Sequence, residues 1–136
     1  MARTRTAGCA AIAICLALGV AGQADPLPEQ PNSTVGYPTP DAALTALHAK
    51  PSVEFSTQDG WTIASDPDTN TVWSFPPQRD PAYPAVVRRQ MTPAPGGKVA
   101  VQMDVLCSAT KAACDDLVRA FERMNDEAQR QLRGGD

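Results

Sequence analysis

The sequence contains few side chains of the types that perform catalysis or bind metals, and their spacing favours structural roles. His48 is the single histidine, so a histidine-rich metal site cannot form. As a general base it would need a nucleophile beside it, and the sequence contains no G-x-S-x-G elbow. We therefore expect His48 to lie on a helix surface near the C-terminus of that helix, where a cation interacts favourably with the dipole.

Two acidic clusters are candidates for metal binding or proton transfer. Residues 66–70, D-P-D-T-N, begin like a calcium loop, but the sixth position is Thr71 instead of glycine and the twelfth is Pro77 instead of glutamate. Asp115 and Asp116 are neighbours on a predicted helix, so their side chains point about 100° apart and do not converge. We interpret the first cluster as an acidic hairpin turn and the second as a complement to the helix dipole. The sequence thus predicts no catalytic residue, no metal site and no cofactor.

The N-terminus has the pattern of a secretory signal. Arg3 and Arg5 precede an uncharged stretch at 7–22, and Gly22 and Ala24 occupy the small-residue positions that a signal peptidase recognises. The alternative, a membrane anchor, is disfavoured because the stretch is short and rich in Ala and Gly. We expect a signal peptide over residues 1–24, a protein located in the periplasm or secreted, and no stable membrane insertion. The formal net charge of −3 argues against nucleic-acid binding, which needs clustered Lys and Arg.

The four cysteines fall into two groups. Cys9 and Cys15 lie in the signal, whereas Cys107 and Cys114 lie near the other end of the chain. An even count in an oxidising compartment favours a disulfide, with two separate buried thiols as the alternative. Because C-x6-C is neither a C-x-x-C redox pair nor a zinc knuckle, we predict a structural disulfide between Cys107 and Cys114.

The chain after the signal divides into three parts. Residues 25–38 contain four prolines and little apolar periodicity, which predicts a disordered Pro-rich N-terminus of the mature chain. Residues 39–133 are predicted to form a single α+β domain, since their length suits one small domain. Residues 134–136 form a short tail.

Hydrophobic periodicity in this domain predicts two helices and about five strands in the order α-β-β-β-β-β-α. Thr39 and Thr110 are the predicted N-caps of a short helix and of a long C-terminal helix. Because every strand connection is short, the strands should form an antiparallel meander. Both helices are predicted to cover one face of this meander, as a two-layer sandwich. The long helix would bury an apolar stripe of Ala113, Leu117, Phe121, Met124, Ala128 and Leu132.

The first predicted hairpin has two possible registers. A two-residue turn at 59–60 sends the apolar residues of its two strands to opposite faces of the sheet. A three-residue loop, 58–60, pairs Thr57 with Trp61 and keeps those apolar residues on one face. We favour the three-residue loop. We also expect Trp61 and Trp73 to lie on the face of the sheet that carries Phe55 and Ile63.

Residues 73–87, W-S-F-P-P-Q-R-D-P-A-Y-P-A-V-V, contain four prolines between two predicted strands. Polyproline ligands usually lie in disordered tails, so we predict instead a rigid loop that presents side chains at small entropic cost. The candidate binding surface consists of Arg79, Asp80, Tyr83 and Arg88. The aromatic residues of the sheet are interpreted as core, with a ligand groove between sheet and helices as the alternative.

Three stretches resemble a group of small exported proteobacterial proteins of unknown function. They are W-S-F followed by prolines, P-A-Y-P-A-V-V-R-R, and V-x-M-x-V-L-C-x6-C before a terminal helix, within about residues 37–132. Members are sometimes labelled J-domain chaperones, but the His-Pro-Asp triplet is absent here, since Ala49 follows His48. The resemblance implies export to the bacterial envelope and implies no activity or site residue.

Together these features predict a small exported non-enzymatic module that binds another envelope or secreted protein. Inhibitors, immunity proteins and envelope accessory proteins are examples of this class. The alternative is a carrier of a small ligand in an aromatic groove between sheet and helices. No catalytic constellation in the sequence supports an enzyme.

Overall fold

The computed structural model describes residues 34–134, which form two helices and five strands. The expected signal peptide and its cleavage site lie outside the described residues. The strands form one antiparallel sheet in the order β1-β2-β3-β4-β5. The predicted α+β class, element order and antiparallel meander are therefore confirmed. The elements are α1 Pro40–His48, β1 Glu54–Gln58, β2 Trp61–Asp66, β3 Thr71–Phe75, β4 Ala85–Ala94, β5 Lys98–Cys107 and α2 Lys111–Gly134.

Both helices begin at the predicted threonine caps. Thr39 Oγ1 accepts a hydrogen bond from the backbone N–H of Ala42 at 3.1 Å. Thr110 Oγ1 accepts one from the N–H of Ala113 at 3.3 Å. Each cap thus satisfies a backbone donor that has no partner inside the helix.

The β1–β2 hairpin turns over two residues, Asp59 and Gly60, and not over the predicted three. Thr57 pairs with Thr62, and the turn residues have positive φ angles of 51° and 83°. Two consecutive left-handed residues match the twist of the flanking strands, and Asp-Gly is a preferred sequence for this turn. The prediction that Thr57 lies opposite Trp61 is therefore wrong.

The sheet is apolar on both faces, and each helix covers a different face. Neighbouring residues of a strand point to opposite faces. Val86 packs in a cluster with Leu47 of α1, whereas Val87 packs in a cluster with Leu117 and Phe121 of α2. The expected two-layer sandwich, with both helices on one face, is corrected to three layers in the order α1, sheet, α2.

The two tryptophans consequently lie on opposite faces, not on the same face as predicted. Trp73 pairs with Ala64 of β2, so these two side chains share a face. Ala64 is three residues from Trp61, and side chains an odd number of residues apart on one strand point to opposite faces. Trp73 is buried on the α1 face, where the Tyr37 ring packs edge-on at a centroid distance of 5.6 Å. Trp61 faces α2, with its ring centroid 5.7 Å from that of Phe121.

The folded domain begins earlier than the sequence pattern predicts. Val35 is 2% exposed and belongs to the core on the α1 face. Tyr37 packs against the same core. The predicted disordered segment 25–38 is therefore corrected at residues 34–38, because one apolar side chain in a Pro-rich stretch finds a buried site. The rest of that segment lies outside the described residues.

The apolar stripe of α2 is buried only in its first half. Leu117 and Phe121 are buried, whereas Met124 and Leu132 are 49% and 66% exposed. A helix of 24 residues is about 36 Å long, while strands of five or six residues span about 17–20 Å. The helix is therefore longer than β1, β2 or β3, and the apolar residues of its second half are left exposed. Within residues 34–134, no helix is both long enough and apolar enough to cross a membrane.

The predicted disulfide between Cys107 and Cys114 is present, with a Cα–Cα distance of 5.8 Å. It joins the last residue of β5 to the first turn of α2. The bond therefore fixes the point at which α2 turns back over the sheet, and with it the face of the sheet that α2 covers.

Candidate functional site

A groove of about 510 Å³ lies between the sheet and α2. Helix α2 packs on Val87 and Val105 of the two last strands, so β2 and β3 beside it form an open floor. The volume lies in the range of small-molecule sites, which are mostly apolar with a few polar groups. The apolar lining includes Trp61, Ile63, Leu117, Ala120, Phe121 and Met124.

Ser74 lies on the floor of this groove. Its neighbours Trp73 and Phe75 belong to the α1-face core, so the Ser74 side chain points to the α2 face. The residue is 1% exposed, and its Oγ has no hydrogen-bond partner among the described residues. Leaving a buried hydroxyl unpaired costs about 1–3 kcal/mol, so a hydrogen-bond partner at Ser74 Oγ would stabilise the protein.

Arg89 lies beside Ser74 on the same face. Ser74 pairs with Val87, and Arg89 is the next residue of β4 on that face, which makes the two side chains diagonal neighbours. The Arg89 Cζ lies 5.2 Å from the centroid of the Phe121 ring, and Nη1 donates to Met124 Sδ at 3.9 Å. Nε is buried without a partner. Burial lowers the pKa of Arg89, because desolvation disfavours a charged group.

Its chain neighbour Arg88 points to the α1 face and is well supplied with acceptors. Nη1 lies 3.3 Å from Asp104 Oδ2 and donates to the Thr34 carbonyl at 3.2 Å, while Nη2 donates to Gln90 Oε1 at 2.8 Å. In the described part of the chain, no carboxylate forms a salt bridge with Arg89. The charge of Arg88 is therefore neutralised by Asp104, whereas the charge of Arg89 is not neutralised by a carboxylate of the described chain.

Residues 34–134 contain three buried side-chain polar atoms without partners. Two of them, Ser74 Oγ and Arg89 Nε, line the groove as diagonal neighbours. The third, Trp73 Nε1, lies on the α1 face. The unsatisfied polar atoms are thus concentrated at one place on the α2 face.

The carboxylates that line the groove lie at its mouth. Asp80 accepts a hydrogen bond from the Ala82 N–H at 2.8 Å, and Asp116 accepts one from Arg119. Asp59 belongs to the exposed turn between β1 and β2. The groove therefore has an acidic mouth near the β1–β2 turn and the proline-rich loop that joins β3 to β4. Its inner end, at Arg89, is basic.

The four residues predicted as one binding surface are distributed over different parts of the molecule. Arg79 Nη2 donates to the Asp59 carbonyl at 3.3 Å, which braces the β1–β2 turn. Asp80 lines the groove, whereas Tyr83 lines a smaller depression beside α1. Arg88 lies on the α1 face in its ion pair. The structure therefore brings Arg79 and Asp80 close to the groove and separates Tyr83 and Arg88 from it.

Sequence patterns select Arg88 and miss Arg89 and Ser74. The disulfide is the sequence signal that indicates the face on which Arg89 lies. Because Cys107 is bonded to Cys114 of α2, Cys107 and the other odd-numbered residues of β5 lie on the face of the sheet that α2 covers. Arg89 pairs with Met103, so it shares that face. No sequence pattern distinguishes Ser74 from other serines in strands. Only its burial in the structure identifies it.

Neither metal ligands nor similarity to known proteins assigns a role to the groove. Within residues 34–134, no group of three or more His, Cys, Asp or Glu residues is placed to hold a metal ion. His48 lies exposed in the last turn of α1, as predicted, and stacks on Phe55 with ring centroids 3.9 Å apart, across the sheet from the groove. The chain matches no protein-family model, and no curated protein or solved structure is significantly similar to it.

Proposed function

We propose that the protein is a small exported carrier that binds a mainly apolar small molecule in the groove between the sheet and α2. The observation that carries this proposal is the pair Ser74 Oγ and Arg89 Nε, both buried, unpaired and adjacent within apolar walls. Native interiors satisfy nearly all buried polar groups. Two unsatisfied groups side by side in one cavity therefore offer two hydrogen-bond donors to a bound molecule.

Export is proposed from the N-terminal sequence pattern, and the disulfide supports it. Disulfides persist in oxidising compartments such as the periplasm and the extracellular space. The bond between Cys107 and Cys114 is compatible with either location. A carrier in either place would meet ligands that cross the envelope.

Binding is proposed in preference to catalysis because the groove lacks a paired nucleophile and base. Ser74 is the hydroxyl on the groove floor, and a serine nucleophile needs a base within hydrogen-bonding distance. Ser74 Oγ has no such partner among the described residues, and His48 lies on the other side of the sheet. Arg89 is a donor at any ordinary pH and does not act as a base.

The positions of the two tryptophans allow a direct test with the uncharged probe 4-phenylbutanamide. In a Trp73→Phe variant, Trp61 is the remaining tryptophan, and its emission should change as the probe fills the groove. In a Trp61→Phe variant, the emission of Trp73 should stay constant, because Trp73 lies on the opposite face. Emission that is unchanged in the Trp73→Phe protein up to the solubility limit of the probe would contradict the proposal.

A matched pair of alanine substitutions on α2 locates the binding. Ala120 lines the groove, so Ala120→Leu should fill it and weaken probe binding about tenfold or more. Ala112→Leu, at an exposed position of the same helix, should leave the affinity unchanged. Equal affinities of the two variants, measured by the same Trp61 titration, would place the probe elsewhere.

A second candidate function is the binding of an envelope or secreted protein through the proline-rich loop between β3 and β4. The observation that favours this function is the position of Tyr83. The side chain is 39% exposed, although the loop backbone is held by hydrogen bonds from the Tyr83 N–H to the Asp80 carbonyl at 3.0 Å and from the Asp80 N–H to the Pro77 carbonyl at 2.9 Å. An exposed aromatic side chain on an ordered loop binds at small entropic cost.

Affinity capture from envelope extracts separates the two candidates. Tyr83→Ala should lose a captured protein partner while it retains the affinity for 4-phenylbutanamide. Ala120→Leu should show the reverse pattern. Recovery of the same proteins by wild type and by Tyr83→Ala would exclude the loop as the contact surface.

A further inference from the structure

The proposed carrier function leaves the polar end of the ligand undefined, and Arg89 restricts its chemistry. The guanidinium contacts a ring face and a thioether, which are weak acceptors compared with the water that burial removes. Its unpaired Nε–H and an adjacent Nη–H form a planar fork. That fork matches a carboxylate, which can accept two parallel hydrogen bonds from it.

Ser74 provides a second donor at the same place. A serine hydroxyl rotates freely and can donate to an anion, and no protein acceptor in the described chain competes for it. Its diagonal position relative to Arg89 places it within reach of a group held by the long arginine side chain. Ser74 Oγ and Arg89 Nε are therefore two donors without a protein acceptor, located on the same face of the sheet in the groove.

The charges around the groove favour an anion in one orientation. The mouth carries Asp59, Asp80 and Asp116, and two guanidiniums lie beside them, Arg79 at the Asp59 carbonyl and Arg119 in an ion pair with Asp116. One net negative charge remains there and disfavours a ligand anion at the mouth. At the inner end, a single guanidinium balances one negative charge. A dianion such as a phosphate monoester would keep an uncompensated charge in an apolar site, which is costly.

We infer that the ligand is an apolar monocarboxylate. Its carboxylate accepts hydrogen bonds from Arg89 and Ser74, and its apolar body lies along Trp61 and Leu117 toward the acidic mouth. The inference rests on the proposed carrier function and names the class of molecule carried. Such a ligand would give Arg89 the carboxylate partner that it lacks within the described fold.

Three probes with one apolar body test this inference: 4-phenylbutanoate, the neutral 4-phenylbutanamide and the cationic 4-phenylbutylamine. Titrated against the Trp73→Phe protein, the carboxylate should bind about tenfold or more tightly than the amide, because hydrogen bonds to charged groups are the stronger ones. The amine should bind most weakly at the inner end. The readout is the dissociation constant from Trp61 emission, checked by calorimetry.

Variants then assign the preference to the two donors. Arg89→Gln should weaken carboxylate binding about 10- to 100-fold and change amide binding less than about threefold. Ser74→Ala should weaken carboxylate binding about three- to tenfold. Arg123→Gln, which removes the same charge from an exposed position of α2, should leave the carboxylate preference intact.

The possible outcomes separate this inference from the function on which it rests. Equal binding of the three probes, tightest binding of the amine, or a carboxylate preference that survives Arg89→Gln would overturn the carboxylate assignment. In each of these cases, the sensitivity of probe binding to Ala120→Leu would still support the carrier function. If no probe changes the Trp61 emission, both the carrier function and its ligand class are wrong.

Discussion

Replacing Arg88 with methionine is expected to lower the free energy of unfolding by about 2–3 kcal/mol, whereas Arg89→Met should leave it unchanged or raise it by about 1 kcal/mol. The two residues are adjacent and identical in type, so the same substitution tests two environments. The opposite signs follow from the acceptors that each guanidinium has.

The loss at Arg88 arises from the partners that the substitution would leave behind. The Asp104 side chain is 13% exposed, and Arg88→Met would remove its ion-pair partner and the donor to Gln90 Oε1. A carboxylate left buried and unpaired is strongly unfavourable. The pair is partly accessible to solvent, so the expected cost lies at or below the lower end of the range for fully buried pairs.

The gain at Arg89 arises because methionine keeps the apolar contact with Phe121 and removes a desolvated charge. Replacing a poorly compensated buried ion with a well-packed apolar side chain is often neutral or stabilising. Ligand-free protein should therefore tolerate the change that abolishes the carboxylate preference.

Urea unfolding of the wild type and both variants, without ligand, measures this contrast. A comparable loss of stability in both variants would mean that Arg89 has a partner of its own in solution. With 4-phenylbutanoate present, the wild type should gain stability by mass action. The Arg89→Met variant should gain little, because it lacks the donor that holds the carboxylate.

Removing the disulfide is the second change with a large expected effect, a decrease of about 2.5 kcal/mol in the free energy of unfolding. In the chain-entropy model, this is the value for a closed loop of about eight residues. For a domain of this size, it corresponds to a decrease in melting temperature of roughly 10–20 °C. The disulfide also joins α2 to β5, so its loss should release the start of the helix that forms one wall of the groove.

The measurement compares melting temperature and 4-phenylbutanamide affinity for the oxidised protein and for a double Cys107→Ala, Cys114→Ala variant. Both quantities should fall in the variant. Reductant should lower the melting temperature of the wild type and leave that of the variant unchanged. A melting temperature that is the same with and without the bond would show that packing alone holds α2 in place.

Local features of this chain could be predicted because neighbouring residues encode them. The caps Thr39 and Thr110, the two helices and the five strands follow from hydrogen-bonding side chains and apolar spacing within short windows. The pairing of Cys107 with Cys114 follows from the count of cysteines and the expected compartment. Each of these features needs only residues close together in the sequence.

The faces of the sheet could not be predicted in this way. The preference for a three-residue loop assumed that the apolar residues of β1 and β2 share one face, as in a sheet covered on one side. Here both sides are covered, so the strands carry apolar residues on both, and the Asp59–Gly60 turn chemistry decides the register. The burial of Val35 could not be predicted from its Pro-rich neighbours either, because the site that buries it is formed by α1 and the sheet together.

The elements, their order, the antiparallel pairing and the disulfide follow from the sequence alone. Which of the two arginines lacks a carboxylate partner depends on the folded arrangement of the strands. Arg88 lies opposite Asp104 and Arg89 lies opposite Met103, so the difference depends on cross-strand partners that are distant in the chain. Local patterns do not specify such partners, because the register of β4 and β5 brings together residues that are 14 or 16 positions apart in the chain.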